Sequence, residues 1–205
     1  MQESVPGIVI GRLPIYLRAL AILEQEGREV TSSQELGKRL GISSAQIRKD
    51  LSHFGEFGKQ GTGYRISFLQ GKLKEILHLN QNWPIALIGF GDLGHALVQY
   101  NGFPQKGFYI QAVFDNDPEK VGKSTINGMI IQHPSELAET IRREGVKIAI
   151  LAVPAGVAQK LAETLVKAGI RALLNYAPIT LSLPPDVQVQ NIDPVVHLQQ
   201  MTYYL

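Results

Sequence analysis

The sequence predicts an α/β chain. An N-terminal winged helix-turn-helix domain spans residues 1–80, a C-terminal Rossmann-like parallel-sheet domain spans 84–192, and a terminal helix spans 193–205. Three observations carry this. Apolar spacing is helical up to about residue 80 and turns to short β-rich runs alternating with helical stretches beyond Asn80-Gln-Asn-Trp-Pro84. Two short helix signals joined by a glycine lead into a glycine-dense basic stretch. A G-x-G-x-x-G follows directly on an apolar strand.

The bulk properties narrow the class. With 205 residues, 44% hydrophobic and 19% charged, the chain has ordinary globular composition and room for one large or two small domains. No apolar run approaches the ~18 residues of a membrane span. The N-terminus lacks a basic stretch followed by an apolar one, so the expected compartment is the cytoplasm. Cysteine is absent, which excludes disulfides, thiolate catalysis, Cys-ligated zinc and thiol redox sensing. Net charge is only +2, yet residues 36–75 hold 8 basic against 3 acidic side chains. Such an excess suits a polyanion partner or a solvated basic surface, and charge alone does not choose.

In the first domain Leu13, Tyr16, Leu17, Leu20 and Leu23 recur at helical spacing, with Pro14 placed in a first turn and Gly27 as the stop. Ser32-Ser-Gln-Glu35 reads as a capping box before a helix ending at Gly41. Ser43-Ser-Ala-Gln46 opens the next helix, which runs to about Phe54. On it Ile47, Leu51 and Phe54 share an inward face, while Ala45, Arg48, Lys49 and Ser52 lie outward, flanked by Gln46 and His53. Small residues with two cations suit a major groove, although any amphipathic helix turns cations outward. Phe57-Gly-Lys-Gln-Gly-Thr-Gly-Tyr-Arg-Ile66 then reads as a hairpin wing with Lys59 and Gln60 at its tip. No Lys-Ser/Thr helix start follows, so a P-loop fails. The combination points to DNA; a winged helix used only to bind protein is the other reading.

In the second domain Pro84–Gly89 is a buried strand entering Gly89-Phe-Gly91-Asp-Leu-Gly94 and a helix over 93–100. The first glycine allows the tight turn, the second lets backbone approach a pyrophosphate, and the third lets helix pack on strand. The helix N-terminus offers amides and a positive dipole end to an anion. A second strand, 110–114, ends in Asp115, where a carboxylate bonds ribose hydroxyls and repels a 2′-phosphate, favouring NAD(H) over NADP(H). Asp115 also suits a turn in Asp-Asn-Asp-Pro. Strands 147–152 and 172–174, with helices near 135–144 and 155–168, place Val153-Pro154 and Asn175-Tyr-Ala-Pro178 at the ligand edge, unless those prolines only punctuate elements.

No catalytic set accompanies this cofactor fold. His53, His78, His95, His133 and His197 are scattered, and no paired carboxylate stands out. The cofactor reads as a signal. At the end, Asp193-Pro194 opens a helix whose Val195, Leu198, Met201 or Thr202, and Leu205 form an apolar stripe, to be covered by its own sheet or by a second subunit.

These segments together resemble the Rex family of redox-sensing transcriptional repressors. The likeness is carried by Arg12-Leu-Pro-Ile-Tyr-Leu-Arg18, Thr31-Ser-Ser, Gln46-Ile-Arg-Lys-Asp-Leu-Ser52, Phe54-Gly-Glu-Phe-Gly58, 89–94, 114–122 and Leu174-Asn-Tyr-Ala-Pro178. The resemblance implies a homodimer that represses from inverted-repeat operators and leaves DNA when NADH replaces NAD. It implies recognition-helix contacts at Arg48 and Lys49, within a candidate DNA-binding set of Ser44, Gln46, Arg48, Lys49, Ser52, Lys59, Gln60 and Tyr64. It implies an NAD site at Gly89, Gly91, Gly94 and Asp115, within a candidate cofactor-binding set that adds Phe90, Asp92, Leu93, Val153, Pro154, Asn175, Tyr176, Ala177 and Pro178. It further implies a domain-swapped terminal helix, with Asp193 engaging Tyr100 or Arg18 according to ligand state. Neither metal nor membrane enters this picture. The competing reading is a small NAD-dependent reductase with an appended winged helix.

Overall fold

The computed structural model describes residues 5–58 and 63–205, which divide into two units at Gln81/Asn82. The first unit contains α1 (Gly7–Gln25), β1 (Val30–Thr31), α2 (Ser33–Leu40), α3 (Ser44–Ser52), β2 (Tyr64–Arg65) and α4 (Ile66–Ile76). Its core is built from Leu13, Tyr16, Leu20 and Leu23 of α1, Leu36 of α2, Ile47 and Leu51 of α3, and Ile66, Leu69 and Leu73 of α4. Each such side chain is worth about 1.5–3 kcal/mol when fully buried, so this apolar spacing holds the four helices together.

Helix ends follow local chemistry. The Ser32 hydroxyl accepts from Glu35 N–H and the Ser43 hydroxyl from Gln46 N–H, each cap contributing about 1 kcal/mol. The expected reciprocal half of each box goes elsewhere. The Glu35 carboxylate accepts from the Thr31 hydroxyl, and the Gln46 amide donates to Asp50. Gly41 closes α2 at φ 67°, a conformation that favours glycine.

One expectation is corrected and two features are added. Helix α1 begins at Gly7, so Pro14 is interior and not in the first turn; buried Val9 extends the apolar stripe one turn toward the N-terminus. Helix α4 escaped the sequence reading, although Ile66, Leu69 and Leu73 keep helical spacing. The strand that follows the glycine-dense stretch takes its partner from outside it. β2 pairs antiparallel with β1, Val30 opposite Arg65 and Thr31 opposite Tyr64. A Cβ on Gly58 would lie 2.5 Å from the Gly63 carbonyl, and one on Gly63 2.4 Å from the Thr31 carbonyl, so these backbones need glycine to meet. Lys59 and Gln60 lie outside the described residues.

The second unit is a six-stranded parallel sheet in the order β5-β4-β3-β6-β7-β8. Its strands are β3 (Trp83–Ile88), β4 (Phe108–Phe114), β5 (Ile131–Gln132), β6 (Ile148–Leu151), β7 (Ala172–Asn175) and β8 (Gln188–Asn191). Helices α5 (Asp92–Gln99), α6 (Leu137–Arg143), α7 (Ala155–Ala168) and α8 (Pro194–Thr202) accompany them. Strands β5 and β8 are short, and the sequence reading had not separated them from loop.

Both sheet faces are buried, which explains why the strands read as unbroken apolar runs. Ala86, Ile88, Ala112, Phe114, Ala149 and Leu151 form one core with Leu137 and Ile141 of α6 and Ala158, Ala162 and Leu165 of α7. The alternate residues Ile85, Leu87, Val113 and Ile150 form another with Leu97 and Val98 of α5. The chain leaves β3 toward β4 on one side and later returns to β6 on the other. The crevice at the carboxyl ends of β3 and β6 is therefore a topological switch point, where ligands of open α/β sheets bind.

Candidate functional site

Each unit carries its own candidate site. In the first, Ser44, Gln46, Arg48, Lys49 and Ser52 all lie on α3, with Arg48, Lys49 and Ser52 exposed and Ser44 and Gln46 half-buried. The Arg48 guanidinium donates to the Ser33 hydroxyl at 3.0 Å, bracing it against the start of α2 while leaving four N–H donors. The Ser52 hydroxyl donates to the Lys49 carbonyl. Tyr64, on β2, packs against the core; burial pushes its hydroxyl pKa up while the Arg48 charge pulls it down. Helix α3 and the strand after the glycine-dense segment thus converge.

Beneath that face sits a group the sequence reading missed. Asp50 is fully buried and accepts from Arg12 Nε at 2.6 Å, Arg12 Nη2 at 2.7 Å, the Tyr16 hydroxyl at 2.5 Å and Gln46 Nε2 at 2.7 Å. Burial alone would raise its pKa, but the hydrogen bonds from Arg12, Tyr16 and Gln46 outweigh it and hold the carboxyl down at about 2. Burial and the Asp50 carboxylate together push the Tyr16 hydroxyl upward. A signal was available. Asp50 falls between Ile47 and Leu51 on the inward face, and a carboxylate there needs partners. Arg12 and Tyr16 stand one turn apart on the facing stripe of α1.

In the second unit the glycine loop links β3 to α5. Gly89 has φ 97°, and a Cβ there would lie 2.1 Å from the Ala152 carbonyl. Gly94 packs so closely that its Cβ would sit 2.3 Å from the Gly89 carbonyl. Gly91 is different: no protein atom lies within 4 Å of its Cβ position, so its exposed backbone is open to a ligand. Phe90 is buried, with its ring against that of His95 at 3.9 Å between centroids. Asp92 and Leu93 are exposed in the first turn of α5.

Asp115 ends β4 beside this loop. Its Oδ2 accepts from Phe90 N–H at 2.7 Å, its Oδ1 accepts from Asp117 N–H at 2.9 Å, and Lys120 Nζ lies 3.5 Å away. Burial pushes its carboxyl up, but the N–H donors of Asp117 and Phe90 and the Lys120 charge hold it below the ordinary value. Val153 and Pro154 follow β6, with Pro154 preceding α7. Asn175 is fully buried; its amide nitrogen reaches the Ala177 and Ile179 carbonyls and Asn191, and its oxygen accepts from Ala177 N–H. That side chain shapes the loop bearing half-buried Tyr176, buried Ala177 and exposed Pro178.

Of the three residues expected to form a switch, Arg18 belongs to the first unit and Tyr100 and Asp193 to the second. Arg18 lies exposed on α1, lining a cavity of about 380 Å³ with Ile15, Ile22, Arg39 and Leu40. Tyr100 is the exposed residue ending α5, its ring edge-on to Phe103. The Asp193 carboxylate accepts from Val195 N–H as the cap of α8, and Pro194 is the first helical residue. No residue of α8 is buried, and Leu198 and Met201 are 59% and 62% exposed, so the apolar stripe finds no cover within its own unit.

Comparison with known proteins agrees with this division. Residues 4–52 match the family described as a putative DNA-binding protein N-terminus, and residues 80–179 match the CoA binding domain family. The redox-sensing transcriptional repressor Rex of Roseiflexus sp. (strain RS-1) is 51% identical over 204 residues, covering 100% of this chain and 92% of the relative. The chain belongs to the Rex family. The Rex protein of Brevibacillus brevis (strain 47) is 46% identical over 204 residues, covering 100% of this chain and 98% of that one. Among solved structures, the Rex-family repressor RSP in complex with beta-NAD+ and operator DNA matches with TM-score 0.92 at 36% identity, over 98% of this chain and 92% of that one. RSP in complex with beta-NADH matches with TM-score 0.87 at 34% identity, over 98% and 93%.

Proposed function

We propose that this Rex-family chain is a transcriptional repressor that binds inverted-repeat operator DNA and is released when NADH replaces NAD. The observation that carries the reading is the joining, in one chain, of a helix-turn-helix with outward Arg48 and Lys49 to a parallel sheet with a dinucleotide loop at its switch point. The family's named role and the NAD and operator complexes of RSP support it.

The residues present fit a dinucleotide. Gly91 leaves open space over its backbone, the α5 N-terminus turns amides and a positive dipole end toward it, and Asp115 supplies a carboxylate at the end of β4. Bound there, NAD(H) supplies a redox-dependent charge and shape at its nicotinamide, which serves as a signal and not as a hydride donor. Asp115 accepts ribose hydroxyls with its remaining lone pairs and disfavours a 2′-phosphate, an effect that Lys120 softens. Loops 153–154 and 175–178 line the same edge. The DNA-contacting set is Ser44, Gln46, Arg48, Lys49, Ser52 and Tyr64, with Lys59 and Gln60 beyond. Helix α8 pairs two chains, which gives the two-fold symmetry an inverted repeat requires. In that dimer Asp193 exchanges between Tyr100 and Arg18. Catalysis is no part of this role, and the protein acts in the cytoplasm; no helix among the described residues is long and apolar enough to cross a membrane.

Selection from a random duplex pool tests the reading. Enrichment of one two-fold symmetric sequence, lost when NADH is included in the selection, is the expected result. An unenriched pool, with steady NADH consumption on candidate substrates, would point to the reductase instead.

A further inference from the structure

Gln46 and Asp50 stand one turn apart on α3, and their contact decides which end of the Gln46 amide is free. Gln46 Nε2 donates to Asp50 Oδ1 at 2.7 Å. The remaining acceptor positions of this fully buried carboxylate are taken by two Arg12 donors, at 2.6 and 2.7 Å, and by the Tyr16 hydroxyl at 2.5 Å. About four lone-pair sites are available on a carboxylate, so Asp50 is saturated. An ionised carboxylate only accepts, so a flipped Gln46 would set its carbonyl against negative charge. Amide orientation is therefore dictated by chemistry and not only by hydrogen-bond assignment.

The arrangement is anchored outside α3. Arg12 and Tyr16 belong to α1, with Tyr16 1% exposed in the domain core. Gln46 itself is half-buried, three residues into α3. The first turns of a recognition helix are the part that reaches base edges. With one N–H tied to Asp50, Gln46 keeps its carbonyl Oε1 and its second N–H for another partner.

We infer that Asp50, held by Arg12 and Tyr16, positions Gln46 to present its carbonyl acceptor together with one N–H donor to adenine in the major groove. This rests on α3 being the recognition helix. Adenine offers an N6 donor beside an N7 acceptor in that groove, whereas guanine offers only acceptors, thymine an acceptor and a methyl group, and cytosine only a donor. Asp50 is thus a positioning residue for specificity, acting on DNA through Gln46.

The test measures binding of the full chain to a panel of symmetric operator duplexes, each half-site position varied through all four bases at one salt concentration. One position per half-site should prefer adenine over the other three bases by roughly fivefold or more. Gln46→Ala should flatten that position alone. Asp50→Asn, which keeps Gln46 but pits an amide against Arg12, should flatten the same position. Ile66→Val, which thins the core elsewhere by one methyl group, should lower the melting temperature and keep the preference. Uniform weakening by Asp50→Asn across all duplexes, or a preference that survives Gln46→Ala, would overturn the inference. Should Asp50→Asn not fold, the 15N-labelled wild-type chain decides: a Gln46 side-chain amide with one N–H protected from exchange is expected, and free exchange of both overturns it. Failure of the wild-type chain to prefer any duplex over random DNA would remove the functional reading beneath it.

Discussion

The Phe90 N–H donates to Asp115 Oδ2 across 2.7 Å, joining the glycine loop after β3 to the carboxyl end of β4. The residue the sequence marks for ribose is thus also a strut for the loop that receives the pyrophosphate. Its other oxygen accepts from Asp117 N–H, so one buried carboxylate fixes the loops that follow β3 and β4. Asp115→Ala should weaken NADH binding by tenfold or more, since it removes a buried charged acceptor and leaves the Phe90 N–H unsatisfied at about 1–3 kcal/mol. Titration of NADH fluorescence checks this; unchanged affinity would move the ribose site elsewhere.

Two glycines separated by three positions should respond in opposite ways. A methyl group at Gly94 would lie 2.3 Å from the Gly89 carbonyl, so Gly94→Ala must push α5 from the sheet. Overpacking of this kind costs about 1–3 kcal/mol, and both melting temperature and NADH affinity should fall. Gly91→Ala meets no protein atom within 4 Å and should fold normally while losing cofactor affinity. Thermal melts run beside cofactor titrations separate the two; equal loss of stability in both would show that Gly91 faces protein and not ligand.

The Asp50 cluster sets an acid limit on the N-terminal unit. Its folded pKa, about 2, is depressed from the ordinary 3.8. The corresponding stabilisation is complete above the unfolded value and disappears as pH falls through the folded one. The difference is on the order of 2 kcal/mol. Chemical denaturation followed between pH 5 and 2 should show the wild-type unit losing that increment. Asp50→Asn should lack the pH dependence and be less stable at pH 7, because removal of one partner of a buried pair costs about 3–5 kcal/mol. An identical pH slope in both would detach Asp50 from the cluster.

Arg48→Ala should weaken operator binding without altering NADH affinity, because Arg48 is exposed on α3 and braced by Ser33. Loss of a bidentate base contact is worth about 1–3 kcal/mol, or five- to more than a hundredfold in affinity. Intact operator affinity would displace the recognition surface from this face.

Removal of residues 194–205 should convert a dimer to a monomer. Val195, Leu198 and Met201 are 57%, 59% and 62% exposed, an apolar stripe that its own unit leaves uncovered. Light scattering after gel filtration reads the mass directly. An unchanged dimer would place the interface on another surface.

Much of this was legible because the decisive signals are local. Ser32, Ser43, Gly41 and Asp193 mark helix ends through hydrogen bonds and dihedrals confined to a few residues. The run at 84–88 announced a doubly buried strand, and Gly89, Gly91 and Gly94 fell at the junction their spacing requires. What stayed hidden depends on distant partners. β2 pairs with β1, which lies before α2, and no local pattern in the glycine-dense segment encodes that choice. Asp50 shows its role only once α1 places Arg12 and Tyr16 against α3. Asn175 read as a cofactor contact from its loop, while its amide is occupied by Ala177, Ile179 and Asn191. Strand β8 is too short and polar to separate from loop by periodicity.

The most direct test is fluorescence anisotropy of an AT-rich inverted-repeat operator bound by the full chain, titrated separately with NADH and with NAD at fixed salt. Release by NADH, with the complex preserved in NAD, is the predicted result. Operator binding indifferent to both would contradict it and reduce the nucleotide unit to a scaffold.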